Sequence, residues 1–509
     1  MNSTSKMPVV LAIGGSDNTA GAGIQADVTT INQLGCHPVC VITAVTSQNP
    51  MGVHSINPVA LEVIASQIKS ICDIQIPKVI KIGLLANIAQ VEMISQWLTS
   101  LGENKPVVIY DPVAVASNGS ALTEQDILPS IKEKLLPVVD IITPNAQESQ
   151  TITGEYILSW DSLPSVATQI NKLGVSHCIL KGGHVDLHND YCVDMLQSGT
   201  APQTPKRYWV ANRKINTKQS HGTGCTFASA IASFVAREYH IRDAFMLTNA
   251  YIHKCLSLSR ENPFHSLTRT QFPSEKEYFG EVLLNNSPLA MELDWYQEDQ
   301  LAYRAGFEAC THLPLGLYPV VDSVDWVERL LKLGVKTVQI RIKHLAGDLL
   351  KQALTKAVAL GNQYDAQVFI NDYWQLAIEL DAYGVHLGQE DMDDANLLAI
   401  QNAGLRLGIS THGHYELLKM HQLKPSYLAI GAIFPTKTKN MTGQIQGLTA
   451  LKQLLPLLEG TPVTAIGGIS VERAEHVLAT GIKSIAVVTA ITEAENPDKA
   501  AQDFLNLLS

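Results

Sequence analysis

Residues 316–343 read GLYPVVDSVDWVERLLKLGVKTVQIRIK, which is a strand pattern, a helix pattern and a second strand pattern in close succession. The strands are short apolar runs, and the helix VDWVERLLKLG between them ends at a glycine. The same rhythm continues to the end of the chain, with eight strand candidates: GLYPVVD, TVQIRIK, QVFIND, GVHLG, LRLGIS, YLAIGAIF, VTAIGG and SIAVVTAI. Eight βα units in roughly 200 residues predict a compact TIM (β/α)8 barrel over residues 315–509.

The first half of the chain alternates in the same way. Its apolar runs are VVLAIGG, CVITAVTSQ, VIKIGLL, VVIYDPV, DIITPN and HCILKGG, with helical patterns between them. Continuous apolar strands separated by helices indicate a parallel sheet covered on both faces. We therefore expect a separate three-layer α/β/α domain over residues 1–262.

Residues 263–314 lose this rhythm. They are rich in acidic side chains but keep many aromatic ones, among them Phe272, Tyr278, Trp295 and Phe307. Aromatic residues at this density predict a packed helical connector rather than a flexible linker.

Composition excludes several classes of protein. The 509 residues carry 37 basic and 48 acidic side chains, a net charge of −11, which disfavours binding of nucleic acid or an anionic membrane over the whole surface. The eight cysteines form no Cys-x-x-Cys pair, and no apolar run approaches the ~18 residues of a membrane span. The N-terminal apolar run is too short for a signal peptide, so we expect a cytoplasmic protein. Local phosphate binding stays open, and so does a homo-oligomer.

The segment Ser220-His221-Gly222-Thr223-Gly224-Cys225-Thr226 precedes a helical pattern. Glycines before a helix let successive backbone N–H groups point at one anion, and the helix dipole adds to the attraction. Cys225 would lie in the first turn, where a lowered thiol pKa would make it a usable base. The alternative is a glycine turn with a buried structural cysteine.

Two further strand ends carry suitable chemistry. Asn145 and Glu148 follow the strand DIITP, and Lys181 ends the strand HCIL. A carboxylate that can hold Mg²⁺ and a cation that can meet phosphate suit phosphoryl transfer, which depends mainly on positioning and charge neutralisation.

The motifs IGGSDNTAGAGIQAD, AVTSQN, KIGLLA, DPV, TPNAQE, LKGGH and HGTGCT, in this order, resemble the hydroxymethylpyrimidine/phosphomethylpyrimidine kinases, which have a ribokinase-like fold. The resemblance implies ATP as co-substrate and Mg²⁺ as cofactor. It also implies substrate contacts from Gly15, Asp27, Gln48, Leu84 and Val113. Gly222, Thr223 and Gly224 would hold the transferred phosphate, with Cys225 as base, Lys181 on the ATP phosphates, and Asp111, Asn145 and Glu148 in the magnesium region. One departure is Asp17-Asn18-Thr19-Ala20-Gly21, where the family often has Asp-Pro-Ser-Gly-Gly.

In TVQIRIK the polar Gln339, Arg341 and Lys343 alternate with apolar residues and would share one strand face. Asp372 ends the next strand after Asn371, and Asp391 follows the fourth strand. Two carboxylates facing two cations would suit a Mg²⁺-bound pyrophosphate. The alternative is a solvated edge face. For His386, packing or surface exposure is expected rather than catalysis.

The motifs GLYPVVDS, QIRIK, FINDYW, GVHLGQED, GIST, FPTKTK, AIGGIS and SIAVVTAI resemble thiamine-phosphate synthase. The resemblance implies that Gln339 and Asn371 meet the pyrimidine and that Asp372 and Asp391 bind Mg²⁺. Pyrophosphate would be held by Arg341, Lys343, Ser410 and Lys439, and thiazole phosphate by Thr436, Thr438, Gly468, Val488 and Thr489.

Together the resemblances imply a bifunctional enzyme of thiamine biosynthesis that acts on small molecules, in which the first domain makes the substrate of the second. Two alternatives stay open. The kinase could be of the pyridoxal type, because related kinases accept similar ring alcohols. The barrel could be a catalytically silent binding domain or resemble a thiazole tautomerase, although such a barrel should lack the set Arg341, Lys343, Asp372 and Asp391.

Overall fold

The computed structural model describes residues 7–113, 127–185, 187–199, 205–298, 301–302, 306–392, 394–436 and 445–508. The chain divides into two compact units, Met1–Leu283 and Leu284–Ser509. Within the described residues, no helix combines the length and the apolar character needed to cross a membrane.

All six apolar runs predicted as strands in the first half are strands. The strands of the first unit are β1 (Val9–Asp17), β2 (His37–Asn49), β3 (Gly52–Pro58), β4 (Val79–Ile82), β5 (Val107–Tyr110), β6 (Ile141–Ile142), β7 (His177–Leu180), β8 (Tyr191–Ser198), β9 (Lys206–Arg213) and β10 (Glu281–Val282). Its α-helices are α1 (Gly23–Gln33), α2 (Leu61–Cys72), α3 (Ile88–Ser100), α4 (Leu128–Ser130), α5 (Ala146–Thr153), α6 (Ser162–Asn171), α7 (Thr223–Ala236) and α8 (Ile241–Leu258).

These strands form one sheet in the order β10-β9-β8-β7-β6-β5-β4-β1-β2-β3. The central strands from β2 to β7 pair in parallel, whereas β3 at one end and β8, β9 and β10 at the other pair antiparallel. Across the sheet, β2 lies to one side of β1, whereas β5, β6 and β7 follow β4 successively toward the other side. Because crossovers are right-handed, this reversal puts α1 and α3 on opposite faces of the sheet and opens a crevice beside β1.

The second unit is a closed barrel of parallel strands in chain order, as predicted for the TIM fold. Its strands are β11 (Leu317–Val321), β12 (Thr337–Ile340), β13 (Gln367–Asn371), β14 (Gly384–Leu387), β15 (Arg406–Thr411), β16 (Tyr427–Ile430), β17 (Val463–Ile466) and β18 (Ile485–Val487). Its α-helices are α9 (Pro288–Glu292), α10 (Val324–Lys332), α11 (Gly347–Gln363), α12 (Trp374–Glu379), α13 (Gln389–Met392), α14 (Leu397–Asn402), α15 (Gly413–His421), α16 (Gly447–Leu454), α17 (Val471–Leu478), α18 (Thr489–Thr492) and α19 (Pro497–Leu508).

Large and small side chains alternate inside the barrel. The ring of Tyr427 lies 5.1 Å from that of Phe369 and 5.5 Å from that of Tyr318, centre to centre. Glycines on neighbouring strands make room for these rings. A Cβ atom at Gly408 would lie 2.1 Å from Cζ of Tyr427, and one at Gly384 would lie 2.7 Å from Cε1 of Phe369. The barrel interior is therefore a packed core.

Residues 263–314 differ from the predicted helical connector. The one α-helix in the described part of this segment is α9, which has five residues. Two residues of β10 pair antiparallel with β9, so the chain up to Leu283 belongs to the first unit. The remainder belongs to the barrel unit, where Phe307 N–H donates to the carbonyl of Lys424. Prolines at 273 and 314 disfavour longer helices, and buried apolar side chains such as Leu267, Leu289 and Trp295 pack within the two units instead.

We predict that Gly408→Ala destabilises the barrel by about 1–3 kcal/mol, because the added methyl group overlaps Tyr427. Denaturant unfolding of the second unit measures this change. In a Tyr427→Leu background the methyl group has more room, so the same glycine substitution should cost less. Equal costs in both backgrounds would contradict the packing explanation.

Candidate active sites

The carboxyl ends of the parallel strands in the first unit surround one cavity of about 750 Å³. Asp17 ends β1, Gln48 lies near the end of β2, and Asp111 directly follows β5. The structure brings all the predicted kinase residues to the wall of this cavity: Gly15, Asp27, Gln48, Leu84, Asp111, Val113, Asn145, Glu148, Lys181, Gly222, Thr223, Gly224 and Cys225.

The glycine loop lies directly before α7. Gly222 has φ +86° in the left-handed region, and a Cβ atom there would lie 1.8 Å from the carbonyl oxygen of Gly21. Only glycine fits both the conformation and the close approach. A Cβ atom at Gly224 would lie 3.6 Å from Nζ of Lys181 and 3.7 Å from Oδ2 of Asp111. The loop therefore faces both of these charged groups.

Lys181 joins the two acidic residues of this region. Its Nζ donates to Oδ1 of Asp111 at 3.1 Å and lies 3.8 Å from Oε2 of Glu148. Glu148 and Asn145 form a reciprocal capping box at the start of α5. Burial raises the pKa of Glu148 from 4.5 to about 7, which the charge of Lys181 opposes and that of Asp111 reinforces.

A magnesium ion fits this region by the chemistry of its donors. Oδ2 of Asp111 is buried and has no hydrogen-bond partner, although Oδ1 is bonded to Lys181 and Thr143. A free carboxylate oxygen is the kind of ligand that Mg²⁺ uses together with water and phosphate oxygens. Among the described residues, no group of three or more His, Cys, Asp or Glu side chains forms a complete protein-only metal site.

Asp27 is fully buried and already bonded. Both of its oxygens accept from Nζ of Lys81 at 2.9 Å, and Oδ1 also accepts from Ser229 Oγ at 2.8 Å. Burial disfavours the ammonium group, but the charge of Asp27 outweighs this effect and raises the pKa of Lys81. Sequence reasoning missed Lys81, although a lysine within the apolar run VIKIG was a signal of a buried ion pair.

The predicted lowering of the Cys225 pKa is wrong for this structure. Burial raises the pKa of the thiol to about 11, against the opposing charge of Lys81. Cys225 does lie in the first turn of α7, but the loss of hydration there outweighs the favourable helix end.

The turn that departs from the family pattern is well bonded. Oδ2 of Asp17 lies 2.9 Å from Nε2 of His221 and accepts from the backbone N–H of Ala22 at 2.8 Å, while Oδ1 accepts from Thr19. Burial opposes ionisation of Asp17, but these hydrogen bonds prevail and lower its pKa. Asp17 thus links the residue 17–22 turn to the glycine loop, a role that the sequence analysis did not assign.

Gln339 and Asn371, both of which are predicted to meet the pyrimidine, contact each other. Nε2 of Gln339 donates to Oδ1 of Asn371 at 2.6 Å, and both residues are buried at the carboxyl ends of adjacent strands. Arg341 and Lys343 do not share a strand face with Gln339 as predicted, because β12 ends at Ile340. They follow it at the carboxyl end of the barrel, with their side chains exposed.

The two predicted metal ligands of the barrel lie close together. Asp372 has φ +64° and forms an ion pair with Lys343. Oδ2 of Asp391 accepts from the backbone N–H of Gly388 at 3.0 Å. Burial and the nearby charge of Asp372 both raise the pKa of Asp391. Two carboxylates that repel each other in this way suit a divalent cation.

Ser410 is held by a buried histidine. Its Oγ lies 2.8 Å from Nε2 of His386, whose Nδ1 lies 2.7 Å from the hydroxyl of Tyr427. Burial lowers the pKa of His386 to about 4, so the ring is neutral near pH 7. Of the two readings left open for His386, packing or surface exposure, the structure shows packing, but the contact of His386 with a predicted site residue was missed.

The remaining predicted barrel residues follow the last three strands. A Cβ atom at Gly468 would lie 2.5 Å from the carbonyl oxygen of Pro435, so the loop of Gly468 adjoins the loop that carries Thr436. Val488 and Thr489 follow β18 at the start of α18. Thr438 and Lys439 lie outside the described residues.

Two family models match the chain. Residues 17–267 match phosphomethylpyrimidine kinase, and residues 317–491 match thiamine monophosphate synthase. A curated thiamine-phosphate synthase of Yersinia pseudotuberculosis is 54% identical over 198 residues, which are 39% of this chain and 92% of that protein.

Solved structures are also similar to the first unit. A phosphomethylpyrimidine kinase from Clostridium difficile is 32% identical and covers 49% of this chain and 99% of its own, with a TM-score of 0.42. A pyridoxal kinase from Staphylococcus aureus in complex with AMP-PCP and pyridoxal is 25% identical and covers 54% and 98%, with a TM-score of 0.47.

We predict a pH-dependent stability that depends on Glu148. Between pH 4.5 and about 7, the Glu148 carboxyl is protonated in the folded state and ionised in the unfolded chain. The stabilisation that comes from this raised pKa is therefore complete below pH 4.5 and is lost as the pH rises through 7. The free energy of unfolding of the first unit is measured without ATP or Mg²⁺ for wild type and for Glu148→Gln. From pH 5 to pH 8, the wild-type value should fall by roughly 1–3 kcal/mol more than the value of the variant. The exposed Glu103→Gln is the matched control. A constant difference between wild type and Glu148→Gln would contradict the raised pKa.

Proposed function

Because the chain belongs to the phosphomethylpyrimidine kinase family in its first unit and to the thiamine-phosphate synthase family in its second, we propose the following roles for its residues. The chain is a bifunctional enzyme of thiamine biosynthesis. The kinase phosphorylates 4-amino-5-hydroxymethyl-2-methylpyrimidine to its monophosphate and then to its diphosphate. The synthase joins this diphosphate to 4-methyl-5-(2-hydroxyethyl)thiazole phosphate and releases pyrophosphate.

The kinase roles rest on one observation, the shared cavity at the carboxyl ends of the parallel strands. The loop of Gly222, Thr223 and Gly224 holds the transferred phosphoryl group, and Lys181 neutralises the charge of the ATP phosphates. Asp111, Asn145 and Glu148 form the magnesium region. Bound Mg²⁺ would neutralise charge on the phosphate oxygens.

Cys225 accepts the proton of the substrate hydroxyl. It acts as the thiolate, and the nearby charge of Lys81 favours this form against the burial that raises the pKa of the thiol. Gln48 offers an amide donor and acceptor to the aminopyrimidine, and Gly15, Leu84 and Val113 shape the pocket around the ring. Asp27 contributes through its pair with Lys81, since both of its oxygens are bonded there.

In the barrel, Gln339 and Asn371 bind the aminopyrimidine as a preformed pair. Pyrophosphate leaves as an anion and leaves a pyrimidine-methyl cation, which the thiazole nitrogen captures. Arg341, Lys343, Ser410 and Lys439 stabilise the leaving group. Asp372 and Asp391 would hold Mg²⁺, and thiazole phosphate binds to Thr436, Thr438, Gly468, Val488 and Thr489.

We further assign the enzyme to the cytoplasm, with small molecules as its binding partners. Turnover of hydroxymethylpyrimidine compared with pyridoxine tests the kinase assignment. A large preference for pyridoxine would contradict it.

We predict that Cys225→Ala lowers kinase turnover at least roughly 100-fold, because the proton acceptor is lost. Coupling of supplied pyrimidine diphosphate to thiazole phosphate should stay at the wild-type rate, and denaturant unfolding of the first unit should also match wild type. The buried Cys178→Ala is the matched control. Unchanged kinase turnover in Cys225→Ala would refute the role.

We predict that Asp372→Asn lowers magnesium-dependent coupling by roughly 100-fold and spares the kinase. Asparagine tolerates the positive φ of this position, so the substitution tests the charge rather than the backbone. The rate is measured as thiamine phosphate formed at increasing Mg²⁺. A wild-type dependence on Mg²⁺ would show that Asp372 is not a metal ligand.

A further inference from the structure

Arg269 lies beyond the residues matched by the kinase family model and beyond the predicted kinase boundary at 262. We propose that Arg269 is a positioning residue of the kinase, which holds the residue 17–22 turn against the glycine loop before α7. This inference rests on the proposed phosphate-binding role of that loop.

The guanidinium group of Arg269 connects three parts of the chain. Nη2 donates to the carbonyl of Gly21 at 2.6 Å, and Nε donates to Thr226 Oγ1 at 3.1 Å. Nη1 donates to the carbonyl of Leu267 at 3.3 Å, within its own segment. Gly21 belongs to the residue 17–22 turn, and Thr226 lies in the first part of α7. A single planar side chain therefore bridges the two elements that meet above the cavity.

The bridge lies at the closest approach of these elements. A Cβ atom at Gly222 would lie 1.8 Å from the Gly21 oxygen and 2.7 Å from Nη2 of Arg269. The backbone of the glycine loop, the Gly21 carbonyl and the guanidinium thus meet at one point. A shift of Gly21 would move Gly222, so the arginine fixes the position of the phosphate-binding N–H groups.

Arg269 belongs to the segment 265–269, whose backbone is hydrogen-bonded to the glycine loop. The backbone N–H of His221 donates to the carbonyl of His265 at 3.0 Å, and the N–H of Leu267 donates to the carbonyl of His221 at 3.2 Å. The Leu267 side chain is buried. The first residues of the segment predicted to be a connector are therefore part of the kinase site.

The charge of Arg269 adds to this positioning. Within the described part of the chain, its hydrogen bonds go to neutral oxygens of Thr226, Leu267 and Gly21, and none of these bonds neutralises its charge. A guanidinium group stays protonated in proteins. Its positive potential extends over the glycine loop and favours a bound phosphate.

The test uses the full chain with four substitutions: Arg269→Ala, Arg269→Lys, Thr226→Val and Arg260→Gln. Kinase kcat and KM are measured for hydroxymethylpyrimidine and ATP, with denaturant unfolding of the first unit as the folding control. Arg260 is exposed a few residues before this segment, and its substitution is the matched loss of charge.

We expect Arg269→Ala to lower kcat roughly 10- to 100-fold with KM for the pyrimidine within about 2-fold of wild type. Arg269→Lys should recover part of the loss, and added guanidinium ion should partly restore Arg269→Ala. Thr226→Val should lower kcat to a smaller extent, and Arg260→Gln should match wild type.

A wild-type kcat in Arg269→Ala would overturn the proposal. So would a loss that appears only in KM for the pyrimidine, or an equal loss in Arg260→Gln. Comparison with Cys225→Ala separates this inference from the proposed function. Loss in Cys225→Ala but not in Arg269→Ala would contradict the positioning role alone, whereas loss in Arg269→Ala but not in Cys225→Ala would contradict the proposed base.

Discussion

In the first unit, β1 pairs in parallel with β2 on one side and with β4 on the other. The order in which successive strands are added to the sheet reverses at this point. The carboxyl ends of these strands therefore meet at one edge with a crevice between them. Asp17, Gln48 and Asp111 come from distant parts of the sequence and reach one cavity only through this pairing. In the closed barrel, too, parallel pairing places the carboxyl ends of neighbouring strands side by side. The register of β12 and β13 brings Gln339 and Asn371 together in this way.

Much of this arrangement is predictable because strand ends can be located in the sequence. Buried parallel strands are continuous apolar runs, and polar residues that directly follow them must lie at the same edge. This reasoning led to Asn145, Lys181, Asn371 and Asp372 without knowledge of any distance. The family motifs added residues such as Gln48 and Ser410, for which spacing alone carries no signal.

The features that escaped prediction depend on packing between distant segments. A helix N-terminus favours a thiolate, but the burial that raises the pKa of Cys225 arises from the whole fold. Lys81 and Asp27 are separated by 54 residues, and their pairing is not visible in either local pattern. Arg269 reaches Gly21 across 248 residues, from a segment whose irregular backbone has no periodicity to interpret.

The two outer strands of the first unit affect how the chain behaves at high concentration. An open sheet exposes backbone N–H and C=O groups at its margins, which can recruit a strand from another molecule. Here β10 contributes only two residues at one margin, and β3 ends at Pro58, which has no N–H to donate, at the other. Both features reduce the number of backbone groups that these margins offer for intermolecular strand addition.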